Sequence, residues 1–110
     1  MIKNTVKKIE TAIQKISSIN NEKKEELISL LLTLKSEIKE PSKTHGEHAQ
    51  SIAGFTEVAS HEATRKKKET HLKNLSLEGL SFSVQGFEAS HPKLVKTVND
   101  ICNLLASIGI

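Results

Sequence analysis

Few residues in this chain could do chemistry, and histidine dominates among them. His45 and His48 stand three apart, so one helix face can hold both, and that is a metal-ligand spacing. His61 and His71 follow, and Glu47 and Glu62 are the carboxylates placed to complete a set. Yet Gly46 separates the first pair, which lies where a helix would begin, and no zincin-type His-Glu spacing is present. Solvent-exposed histidines are therefore expected, with no metal and no other cofactor. Glu57 and His61 are spaced i, i+4 with Glu62 alongside, a group able to move protons. On a surface helix such a pair is ordinarily a weak stabilising contact. Gly79 and Gly86 are isolated, so there is no phosphate loop. Ser81 and Ser83 lack the strand–turn–helix setting of a nucleophile. No catalytic residue is assigned, and an enzyme is not expected.

Cys102 is the only cysteine, which excludes an intramolecular disulfide and a thiolate metal cluster. It falls on the apolar face of the last helix, as a small buried hydrophobe would. Charge concentrates at Arg65, Lys66, Lys67 and Lys68, with Lys73 nearby. This run reads as a solvated helix end or linker; the alternative is a weak nucleic-acid or polyanion contact. Overall balance does not press that alternative. Sixteen Lys plus Arg against thirteen Asp plus Glu leave +3, and Arg65 is the sole arginine. Ser90 and His91 precede Pro92, so one of them is expected to cap a helix with proline in its first turn. No run approaches the roughly 18 apolar residues of a membrane span, and no apolar stretch follows Lys3, Lys7 and Lys8. Neither a membrane segment nor a leader is expected, and a cytoplasmic setting follows.

The elements that must position these residues are helices. Ile2, Val6, Ile9, Ile13 and Ile16 form a heptad seam about 80° wide. Ser17, Ser18, Asn20 and Asn21 make a turn, and a second helix starts at Asn20 or Asn21. Its seam is Leu27, Leu31, Leu34 and Ile38, widened to about 200° by Ile28, Leu30 and Leu32. Pro41 after Glu40 reads as its stop. Thr44 and Glu47 match a capping box for a third helix, with a small-residue inner stripe of Ala49, Ile52, Thr56, Ala59 and Ala63. Such a stripe packs either very closely or weakly. Leu77, Leu80, Val84 and Phe87 suit a fourth helix, although Leu80, Phe82 and Val84 also alternate as a strand would. The last helix carries Leu94, Val98, Ile101, Leu105 and Ile108, again with an arc of about 200°, and Gly109 and Ile110 suit a Schellman ending.

The expected fold is thus all-α and bundle-like, in one domain: a hairpin over 1–40, a polar and partly flexible helical segment over 41–70, and C-terminal helices over 71–110. Two faces too wide for one neighbour suggest a core completed by a second copy. The expected dimer interface is Leu27, Leu31, Leu34, Ile38, Leu94, Val98, Ile101, Leu105 and Ile108.

The run Phe87-Glu88-Ala89-Ser90-His91-Pro92-Lys93-Leu94, followed by Leu104 to Ile110, resembles the C-terminal signature of a family of short uncharacterised bacterial proteins, a domain of unknown function. Ser51-Ile52-Ala53-Gly54-Phe55 and His61-Glu62-Ala63-Thr64-Arg65 are similar to members of the same type. The resemblance implies a small, soluble helical bacterial protein and no activity. Function then rests on the residues. They favour a non-enzymatic helical oligomer acting through protein contacts, with the polyanion binder on 65–68 as the alternative.

Overall fold

The computed structural model describes residues 2–14 and 20–108, and within the first helix the side chains of residues 4, 7–11 and 14. Six α-helices follow one another: α1 (Ile2–Gln14), α2 (Asn21–Glu37), α3 (Lys39–Thr44), α4 (Gly46–Thr64), α5 (Thr70–Ser83) and α6 (Pro92–Ser107). A single 3₁₀ turn, Gln85–Phe87, lies between the last two. There is no strand among the described residues.

Local chemistry sets the boundaries. The Asn20 side chain accepts from the Lys23 backbone N–H at 2.8 Å, so α2 begins where the asparagines stand. Its end differs from expectation. α2 stops at Glu37, and Pro41 sits inside the first turn of α3. Proline has no N–H to give the Glu37 carbonyl and its ring crowds that carbonyl, so the break falls one turn upstream, at Ile38. The capping box does not form either. Thr44 ends α3, its hydroxyl shares a hydrogen bond with His45 Nδ1 at 2.8 Å, and His45 takes the N-cap position of α4. The expected turn at Ser17 and Ser18, and four of the five seam positions of α1, lie outside the described residues or side chains; Ile9 is buried.

α4 is the hub, packing on α1, α3, α5 and α6. Its stripe explains why. Ala49, Ile52, Thr56, Ala59 and Ala63 are all fully buried, and small side chains let neighbouring backbones come close. The Thr56 hydroxyl donates to the Ile52 carbonyl one turn back, which makes its burial affordable. Segment 41–70 is therefore largely helix, and a third of it is buried. α2 packs on α1, α3 and α6, and α5 on α4 and α6.

The strand alternative for 80–84 fails on burial. Leu80 and Val84 lie in the core while Phe82 is 70% exposed. A strand would place all three on one face; a helix places the first and last together and the middle one opposite.

The seams of α2 and α6 meet each other and are buried within the chain, while Leu32 on the widened arc of α2 is 49% exposed. Leu27, Leu31, Leu34, Ile38, Leu94, Val98, Ile101, Leu105 and Ile108 are each no more than 1% exposed. The radius of gyration is 13.0 Å, equal to the value of about 13 Å for a compact domain of this length.

Candidate functional site

The end of α6 shows how the basic side chains are used. Lys73 of α5 donates to the carbonyls of Ala106, at 3.2 Å, and Ile108, at 2.7 Å. Lys23 of α2 reaches the Ser107 carbonyl at 3.4 Å and its hydroxyl at 3.3 Å. Two ammonium groups thus serve carbonyls that a helix end leaves without partners. Burial, and then Lys68, pull the Lys73 ammonium below the usual lysine value. Ile108 already has extended backbone, with φ −76° and ψ 132°; Gly109 and Ile110 of the expected Schellman ending lie outside the described residues.

The basic run is likewise largely committed to its own helix. Residues 65–69 link α4 to α5. Arg65 pairs with Glu62 at 2.8 Å, and Lys68 donates to the Ala63 carbonyl. Lys66 and Lys67 are exposed and are the two of the four without a partner among the described residues. Two free lysines make a small patch beside the phosphate grip of a nucleic-acid binder.

Three of the five histidines gather around one ring. Phe87, only 5% exposed, is met edge-on by His45 and His91, each with centroids 5.6 Å away, and by His48 at 6.0 Å. Edge-to-face contact sets the positive rim of one ring against the negative face of another. His45 and His91 hold matching positions. Each is an N-cap with nearly the same backbone, φ −133° and ψ 57° against φ −137° and ψ 65°. Each has its Nδ1 tied to the preceding hydroxyl, Thr44 at 2.8 Å and Ser90 at 2.9 Å. Ser90 and His91 therefore bond to each other, and neither accepts from the first turn of α6 as a side-chain cap would. His61 lies apart, 3.9 Å from Glu62, and Glu57 pairs with Lys8 of α1 at 3.3 Å, so the 57/61 pair does not form. Among the described residues no three His, Cys, Asp or Glu side chains are placed to hold a metal ion.

Cys102 is half-buried on α6, its Sγ 3.8 Å from the Leu77 carbonyl, and burial pushes its thiol up to about 11. That environment disfavours the thiolate a nucleophile needs.

What the surface offers is apolar. Among the described residues six large hydrophobic side chains are exposed, and five of them belong to α4 and α5: Phe55, Val58, Leu72, Leu75 and Phe82. Leu72, Leu75, Gly79 and Phe82 run 3, 4, 3 along α5, a second seam beside the buried one of Ser76, Leu80 and Val84. The Phe55 ring lies over Gly79, so close that a Cβ there would clash with its Cε1. α4 and α5 are antiparallel partners here, and the missing side chain of Gly79 is the notch that receives Phe55. Sequence reading had not singled out this face. The 3, 4, 3 spacing was its signal, hidden because α5 carries two stripes.

The nine interface residues expected from sequence lie inside the one chain, each no more than 1% exposed.

The DUF4404 profile, a domain of unknown function, matches residues 31–110, and the chain belongs to that family. The match begins within α2 and takes in everything from there through the Phe87 cluster, the α4–α5 face and the lysine-bound end of α6. Neither the curated proteins nor the solved structures compared with the chain contain a match to it. No helix among the described residues is long and apolar enough to cross a membrane.

Proposed function

We propose that the chain is a non-enzymatic protein-contact module of the bacterial cytoplasm that works through the outer face of α4 and α5. One observation carries this reading: Phe55, Val58, Leu72, Leu75 and Phe82 remain exposed on neighbouring helices although the core beneath is full. Clustered apolar side chains cost solubility, and soluble domains keep such patches chiefly where a partner covers them. The absence of a convergent polar group on that face supports contact rather than chemistry. A photo-reactive residue placed at Leu75 or Phe82, and at Lys96 of α6 as the control, tests it in cells. Adducts of defined protein mass should form from the α5 positions and not from position 96. Equal labelling from all three overturns the reading. The polyanion alternative predicts a salt-dependent shift of labelled DNA at low salt that is lost in a Lys66→Ala, Lys67→Ala chain.

A further inference from the structure

α1 packs on α2 and α4 and on no other element among the described residues, and α2 and α4 do not pack on each other there. It therefore lies in the groove between them. Glu57 marks the flank of α4 on which it rests, since that carboxylate pairs with Lys8 of α1. Ala53 and Ser60 stand four before and three after Glu57, on the same side of the helix. Both are buried, and both are small. Phe55, on the opposite flank, meets α5 instead. The Ser60 hydroxyl has no hydrogen-bond partner. Closing α1 over this flank thus strips water from a hydroxyl and gives it nothing in return, a cost present only in the closed state. The Lys8–Glu57 pair offsets little of that, because it is largely in solvent. Ile9 is the described side chain of α1 that reaches the core.

The remaining helices do not need α1 to stay together. α2 keeps α3 and α6, α4 keeps α3, α5 and α6, and α5 keeps α4 and α6. We propose that α1 is a strap, which lifts from the α2–α4 groove as one unit while α2 to α6 remain folded. Lifting uncovers Ala53 and Ser60 and rehydrates the orphaned hydroxyl. The small side chains along that wall let a helix come close, so the same groove recloses on α1. This device lies on the flank of α4 away from α5 and is independent of the contact face read there.

Native-state hydrogen exchange of the full chain, read fragment by fragment, tests it. Relative to their intrinsic rates, amides of α1 should exchange at least about 100-fold faster than those of α6, through an opening that low urea barely changes. Ser60→Ala removes the cost of closure and should slow exchange in α1 by about fivefold. Ser51→Ala makes the same chemical change at an exposed position of α4 and should leave α1 as it was, which separates burial from helix propensity. Exchange of α1 only together with α6, in one global event, overturns the proposal. So does α1 exchange that Ser60→Ala leaves unmoved, or that Ser51→Ala slows equally.

Discussion

Cys102 shows how a single side chain reports its surroundings. Its thiol is held at about 11 against an ordinary 9.0 because burial penalises the charged form. Between those values the folded chain keeps a proton that the unfolded chain has released, so this contribution to stability is complete below about pH 9 and is lost as pH rises toward 11. Urea midpoints at about pH 8 and about pH 10 should fall further in the native chain than in Cys102→Ala. Ser60 offers the opposite kind of test. Its Oγ is buried on α4 with no hydrogen-bond partner. Removing an orphaned hydroxyl from a helix interior relieves a desolvation cost and improves helix propensity, so Ser60→Ala should raise stability by about 1 kcal/mol. Chemical denaturation of the two chains measures this directly.

Helices end here by means that differ from the expected caps. α6 ends on amines supplied from α2 and α5, and no residue spacing within α6 announces that. Lys73→Met keeps the aliphatic stem and withdraws the donor from Ala106 and Ile108, and a loss of about 1 kcal/mol is expected. Hydrogen exchange should show the deficit at the last turn of α6 before the rest of that helix. Periodicity foretold the elements themselves, because a seam such as Leu94, Val98, Ile101 and Leu105 records which side of a helix is dry. The inner stripe of α4 was equally plain. The junctions were not. Pro41 moved a break upstream to Ile38, and Thr44 and Ser90 gave their hydroxyls to adjacent imidazoles instead of to free N–H groups. Each of those outcomes is local, set by a neighbour one to four residues away, and turns on which of several nearby groups the backbone angles bring into reach.

At the scale of the molecule, a core that seemed too wide for one chain is closed within it. An arc of about 200° exceeds what a single flanking helix can cover. α2 instead meets α1, α3 and α6, and α6 meets α2, α4 and α5. The outer face of α4 and α5 escaped notice for the complementary reason: its residues are spread over two helices that only the fold brings together. A consequence follows for stability. Phe82→Glu should still unfold in one cooperative transition, because that side chain is at the surface and the core is intact. Leu31→Ala in the same background removes fully buried volume and should cost about 3 kcal/mol.

The ring cluster at Phe87 bears on the order in which the chain folds. His45 and His48 come from the junction of α3 and α4, and Phe87 and His91 from the junction before α6. Nothing local brings those junctions together. The helix pairs on either side can form early through near neighbours, whereas the rings meet only after both pairs have docked. Contacts made after the rate-limiting step leave the speed of folding alone and govern how long the folded state lasts. Phe87 thus ties together two junctions far apart in the chain, a contact whose loop-closure cost favours late formation.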